Sequence, residues 1–282
     1  MSDRDRDPLE RIAAALERLA PPGPPATDWS AHPGYVWDHA GVRAVPRIDA
    51  PPLALLRGIN AQKAAVATNV TRLASGAAAH DMLLWGARGM GKSALLRAAV
   101  AAAQATRPGA LALVQAAPDA LASLPALFAA LRGSERRFLV FLDDLGFESG
   151  ETLEARHLRS WLEGGVEARP GNVRLAVTSN RRAILERQLS EQAISSKQEG
   201  PINPRDAVDD KLALADRFGL SLGFHACSQD DYLAIVAGYA GATGLEWEEA
   251  DALEWSKRRG SRSGRVAWQY VTELAGRAGQ PL

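Results

Sequence analysis

Five short apolar runs punctuate the chain: Met82–Trp85, Ala110–Gln115, the stretch that opens at Arg137, Val173–Thr178 and Gly219–Phe224. Each is nearly continuous rather than alternating, the pattern of strands buried on both faces of a parallel sheet. Between them the apolar positions recur at three- and four-residue spacing. That spacing predicts helices across Ala61–Leu73, across Ser93–Ala105, through DALASLPALFAALRG to Gly133, and through ETLEARHLRSWLEGG, where Leu158, Trp161 and Leu162 share a face before Gly164 and Gly165. Strand alternating with helix predicts an α/β domain built on a five-stranded parallel sheet flanked by helices. From Gln229 the texture is helical only: DDYLAIVAGYAG, LEWEEADALEWSKRRG and SGRVAWQYVTELAGRAG predict a small C-terminal helical domain.

The first fifty residues read differently. Leu9, Ile12, Leu16 and Leu19 predict an amphipathic helix over Pro8–Leu19, followed by the turn-rich APPGPPATDWSAHPGY and further prolines at Pro46, Pro51 and Pro52. This predicts an extended arm over residues 1–52, ahead of an α/β domain over 53–225 and a helical domain over 226–282; the arm's Trp29, Tyr35 and Trp37 could anchor on a partner, but docking on the home domain is the preferred reading. The polar stretch from Leu189 to Asp209 reads as a surface loop.

The chemistry concentrates where the first buried strand ends. GARGMGKS, from Gly86 to Ser93, runs out of that strand and into a helix, the setting in which GxxxxGK[ST] forms a phosphate-binding loop. A triphosphate is a dense anion that must be met by many donors without bulky side chains in the way. Gly86, Gly89 and Gly91 can take positive φ, so that the backbone N–H groups of Ala87, Arg88, Met90 and their neighbours turn inward. The helix that follows adds its unpaired N–H groups at Lys92, Ser93 and Ala94. Lys92 would reach the β- and γ-phosphates, and Ser93 would offer its hydroxyl to Mg²⁺. Lysine is scarce, with Lys63, Lys197, Lys211 and Lys257 the others, and Lys63 reads as an ordinary surface residue.

The third strand runs from Arg137 into Asp143 and Asp144. Ligands of an open parallel sheet lie beyond the carboxyl ends of its strands, which brings both acids toward the phosphate loop. Asp143 would hold Mg²⁺ through water and Asp144 would orient or deprotonate an attacking water. The next strand ends in Asn180, a polar group able to hydrogen-bond the γ-phosphate or that water.

Composition narrows the setting. With 46% hydrophobic residues over 282 positions the chain can bury a substantial core, and 33 basic against 33 acidic residues create no global field for nucleic acid or membrane. Any basic surface is therefore local. A lone cysteine, Cys227, rules out an intrachain disulfide framework, and the charged start MSDRDRDPLERIAAALERL is unlike a signal peptide. A soluble cytoplasmic protein with no membrane partner is expected.

Taken together, LLWGARGMGKS, FLDDLGFE, TSNRR, LADRFGL, QDDYLAIV and RGSRSGRVAWQ resemble an AAA+ P-loop ATPase, and more closely the bacterial AAA+ ATP-binding family catalogued as a domain of unknown function, over about Leu53 to Gly276. The resemblance implies ATP and Mg²⁺ held between the α/β domain and a helical lid, and a homo-oligomer acting on a protein or nucleic-acid client. It implies that Leu56 and Ile59, in LLRGIN, lie near the adenine, and that Asn180 matches sensor 1. It implies an arginine finger at Arg217 reaching a neighbouring subunit, and a sensor 2 arginine at Arg265, with Arg262 the next candidate. Arg217 could instead pair with Asp216 or Asp210, and KRRGSRSGR could serve as a phosphate-backbone patch. One departure stands out: the superfamily's usual Glu after the first acid is here Asp144, one methylene shorter, which makes slow turnover or a nucleotide switch a second reading.

Overall fold

A computed structural model of the chain describes residues 27–145, 162, 169–180 and 217–282. The expected N-terminal helix, the helix through ETLEARHLRSWLEGG and the loop from Leu189 to Asp209 lie outside the described residues, apart from Leu162. Within them run β1 (Gly34–Asp38), β2 (Gly41–Val45), α1 (Asn60–Ala74), β3 (Met82–Gly86), α2 (Lys92–Thr106), β4 (Leu111–Ala116), α3 (Leu124–Leu131), β5 (Arg137–Leu142), β6 (Val173–Ser179), β7 (Leu220–Phe224), α4 (Gln229–Thr243), α5 (Glu249–Arg258) and α6 (Gly264–Arg277).

Among the described residues the sheet has seven strands, in the order β2-β1-β4-β5-β6-β3-β7, rather than the five expected. The five predicted strands lie side by side and parallel, and the correction comes from the arm. Gly34–Asp38 adds a parallel strand beside β4, and a hairpin turned at Gly41, φ 117°, returns β2 antiparallel along the edge. Flanking prolines and a five-residue length hid both strands. The aromatics of the arm do dock at home. Trp29 and Trp37 pack on the core beside buried Tyr35, the Trp37 indole N–H donates to Ser123 Oγ at 2.8 Å, and the Tyr35 hydroxyl donates to the Asp28 carbonyl at 2.6 Å.

Strand alternation divides the core between two layers. Leu83 and Trp85 of β3 join Val114, Phe138, Val140 and Leu142 under α3, whereas Met82 and Leu84 join Leu111, Leu139 and Phe141 under α1 and α2. Both faces of the parallel strands are thus covered, as their continuous apolar runs require. The helix expected through DALASLPALFAALRG is instead a 3-10 turn, Pro118–Ser123, followed by α3. Pro125 lacks an N–H and fits only the first turn of a new helix, which is where it stands. Helices α4, α5 and α6 enclose a third cluster centred on Tyr232, Tyr270, Val236 and Val271. Leu55, on the strap before α1, packs against this cluster, and Leu56 and Ile59 pack against the sheet's.

Candidate functional site

The phosphate loop is built as its residue types predict. Gly86, Gly89 and Gly91 all have positive φ, at 117°, 76° and 86°. At Gly86 the chain turns tightly against β7: a Cβ there would collide with the Phe224 carbonyl oxygen, and the next N–H, of Ala87, donates to that oxygen at 2.7 Å. Gly91 caps α2, so the first N–H groups of that helix open into the cleft. Lys92 is buried, and its ammonium donates to the carbonyls of Gly86 at 2.9 Å and Ala87 at 2.8 Å, which aims it back across the mouth of the loop. Burial lowers its pKa below that of a free lysine, and the carboxylates of Asp144 and Asp143 act in the opposite direction.

Ser93 and Asp143 meet across the cleft. The Ser93 hydroxyl donates to Asp143 Oδ1 at 2.6 Å, and the Thr178 hydroxyl donates to the same oxygen at 2.6 Å. Thr178 Oγ1 in turn accepts the Asp144 backbone N–H at 2.8 Å, and the Leu145 N–H donates to the Thr178 carbonyl at 2.9 Å. Asp144 itself sits in the left-handed region at φ 54°, which Asp tolerates better than most residues, and its carboxylate accepts from the Asn180 amide. The ends of β5 and β6 are thereby laced together beside the phosphate loop. Thr178 did not emerge from the sequence as a site residue; its one signal was a hydroxyl inside an otherwise apolar run.

The C-terminal helices close the other side. The Arg265 N–H donates to the Gly89 carbonyl at 3.2 Å, and a Cβ on Gly89 would lie 2.7 Å from Ser263 Oγ. Ser263 also caps α6, accepting the Val266 N–H at 3.3 Å. The resulting cleft, about 330 Å³, is lined by Leu56, Ile59, Gly89–Ala94, Asp143, Asp144, Thr178, Asn180 and Arg265, and so gathers most of the expected site residues. Gly86, Ala87 and Arg88, expected at the phosphates, are not part of that lining, and neither is Arg262. Arg57, Arg97, Ile235, Tyr239 and Trp268 also line the cleft; Arg57, Ile235 and Trp268 stand within LLRGIN, QDDYLAIV and RGSRSGRVAWQ, but none of the five was singled out from the sequence as a site residue. Lys63, expected to be an ordinary surface residue, instead donates to the Leu56 carbonyl at 3.0 Å and ties down the strap.

Arg217 is not brought to this cleft. It precedes β7, whose first residue Leu220 pairs with Met82 at the start of β3, so it stands at the opposite end of the sheet from the phosphate loop.

A hydroxyl and a carboxylate side by side form a hard oxygen donor set, which suits Mg²⁺. That ion commonly takes one or two protein oxygens and leaves its other positions to water and phosphate. Among the described residues no group of three or more His, Cys, Asp or Glu could hold a metal ion.

The sequence profile of the family described as "Protein of unknown function (DUF815)" matches residues 30–278. The chain belongs to that family. No curated protein matches this DUF815 chain. Among solved structures, Aeropyrum pernix ORC1 in complex with DNA is similar at TM-score 0.53 and 14% identity, covering 80% of the DUF815 chain and 65% of its own. A variant of Thermotoga maritima RuvB follows at TM-score 0.49 and 18% identity, covering 81% and 66%. The chain spans about two thirds of the length of these proteins. The likeness to ORC1 is one of fold: this DUF815 protein has the AAA+ P-loop fold.

Proposed function

We propose that the protein binds ATP with Mg²⁺ in the cleft between the sheet and the C-terminal helices and hydrolyses it to drive conformational change or remodelling of a macromolecular client. The observation that carries this reading is the direct 2.6 Å bond between Ser93 and Asp143, within a cleft that also presents Lys92 and Arg265. When bound, the metal supplies charge neutralisation on the phosphate oxygens. Gly89 and Gly91 let backbone N–H groups approach the phosphate chain, and Lys92 adds a fixed positive charge. Leu56 and Ile59 offer apolar surface to the base. Asp144 holds the proton acceptor for an attacking water, and the Asn180 amide orients that carboxylate. Arg265, donating from its backbone to Gly89, couples phosphate occupancy to the position of the helical lid.

One observation favours a slower machine or an ATP-gated switch. Asp144 is a methylene shorter than Glu, and its carboxylate already accepts from Asn180 while its N–H is held by Thr178. A base held short of its target lowers turnover without weakening binding. Phosphate release measured with and without EDTA separates the readings: Mg²⁺-dependent release at about 1 s⁻¹ or faster fits the ATPase. Binding without release fits the switch, and absence of both overturns the assignment.

Assembly is a companion proposal. Arg217 stands at the far end of the sheet from its own cleft, so on this reading it serves a neighbouring copy, and a planar, always-charged guanidinium suits a transferring phosphoryl group. ATP then favours a homo-oligomer, and activity per subunit falls on dilution; activity that stays flat across a wide dilution series contradicts it. Among the described residues no helix is long and apolar enough to cross a membrane. With the balanced charge and lone cysteine, this supports a cytoplasmic setting.

A further inference from the structure

The last turn of α5 and the loop that joins it to α6 carry Lys257, Arg258, Arg259 and Arg262, all exposed, in a chain whose overall charge is balanced. Gly260, φ 67°, reverses the backbone at the apex. The acids nearby neutralise little of this charge. Glu254 pairs with Arg258 at 3.0 Å, but both side chains are more than half exposed, so the pair is screened. Glu273 and Asp251 are engaged with Arg277 at 3.0 and 3.2 Å. The Arg259 guanidinium carbon lies over the Trp255 ring, 4.7 Å from its centre. Beside it runs a surface groove of about 510 Å³ lined by Trp255, Arg259, Gln269, Thr272, Glu273 and Arg277, among others, and among the described residues the buried Trp255 indole N–H has no acceptor.

We infer that this turn and groove form a docking surface for the phosphate backbone of a nucleic acid. Exposed arginines supply planar donors that fit phosphate oxygens, and a tryptophan next to a stacked guanidinium offers an aromatic surface of the kind that unpaired bases use. An acidic protein would use the charge but not the aromatic wall. The surface is also wired to the phosphate loop. Residues 257–262 are exposed, and just beyond them Ser263, which caps α6, and Arg265, in its first turn, lie against Gly89, the Arg265 N–H donating to the Gly89 carbonyl at 3.2 Å. A polyanion that shifts the turn therefore shifts the lid contact on Gly89, and by linkage nucleotide and nucleic acid alter each other's affinity by the same factor. The coupling, though not the docking itself, rests on the ATP reading.

The test uses the full chain and a fluorescein-labelled single-stranded oligonucleotide of about 20 nucleotides, followed by anisotropy across a salt series, with its duplex and with polyglutamate as competitors. Four phosphate contacts predict a slope of log K against log salt near −2.8 for the single strand. Lys257→Gln with Arg258→Gln should reduce that slope by about 1.4, and Arg262→Gln alone by about 0.7, with thermal melts within a few degrees of the parent. Unchanged slopes in folded variants overturn the proposal, as does absence of oligonucleotide binding by the parent. Polyglutamate competing as well as the oligonucleotide also overturns it, in favour of an acidic protein partner. Binding of a fluorescent ATP analogue is measured in parallel, with and without oligonucleotide. A shift of about fivefold or more supports the coupling and an unchanged affinity removes it. Loss of analogue binding with oligonucleotide binding intact counts against the ATP reading and leaves the docking surface standing.

Discussion

Thr178 donates its hydroxyl hydrogen to Asp143 Oδ1 at 2.6 Å, the same oxygen that Ser93 reaches at 2.6 Å. One carboxylate oxygen is thereby held from helix α2 and from strand β6. Because Thr178 also accepts the Asp144 N–H, one hydroxyl positions both acids. Thr178→Val keeps the shape and removes the bonds. Outer-shell losses of this kind cost about 10–100-fold, so Mg²⁺-dependent nucleotide affinity or turnover should fall by that factor while the melting profile changes little. Restoration by Thr178→Ser distinguishes positioning from packing.

Gly89 should be intolerant of a side chain for two separable reasons. Its φ of 76° strains any Cβ, and that Cβ would sit 2.7 Å from Ser263 Oγ and 3.3 Å from Arg265 Cβ. Gly109 provides the control, with φ 80° and nothing within 4 Å. Both Gly89→Ala and Gly109→Ala should lose about 1–2 kcal/mol in chemical denaturation, from backbone strain alone. Only Gly89→Ala should also weaken nucleotide binding, because only there does the new methyl push the lid away.

Asp144→Asn tests the base. Asn accepts the left-handed backbone that Asp144 adopts at φ 54°, so the fold should hold. Nucleotide affinity should stay within a few-fold of the parent while turnover drops about 10²–10⁴-fold, the range for removal of a general base. A variant that turns over at the parent rate removes Asp144 from the chemistry.

The helical lid should weaken in alkali. Buried Tyr232 and Tyr270 each have a pKa pushed up to about 12, first by burial, with Tyr232 donating to the Ala252 carbonyl at 3.1 Å and Tyr270 to Asp251 at 3.1 Å. A phenol whose pKa is raised by folding contributes stability that is fully present below its unfolded pKa of about 10, and that contribution is lost as pH rises toward the folded value. Melts followed by circular dichroism from pH 9 to 12 should show the decline, and Tyr232→Phe should flatten it.

How much of this was legible in the sequence depended on whether a feature was local. The phosphate loop, the acids at the end of β5 and Asn180 at the end of β6 could be read because strand, turn and residue type coincide within a few positions. The parts that Thr178 and Trp268 play could not, because what brings them to the cleft is the pairing of β5 with β6 and the packing of α6 against the loop. The same holds for β1. Tyr35 and Trp37 read as anchors, but their membership of the sheet rests on pairing with Val114 and Ala116, nearly eighty residues away, through a stretch whose prolines disguise its strand character.

The central claim, that the cleft is a nucleotide site organised by the phosphate loop, is tested most directly by calorimetric titration of ATP with Mg²⁺ into the parent and into Lys92→Ala. Lys92 is buried against the loop's own carbonyls, and its charge-assisted contacts are worth about 1.5–3 kcal/mol each, so the variant should lose at least about tenfold to a hundredfold in affinity. Parent-like affinity in a folded Lys92→Ala protein would contradict the account.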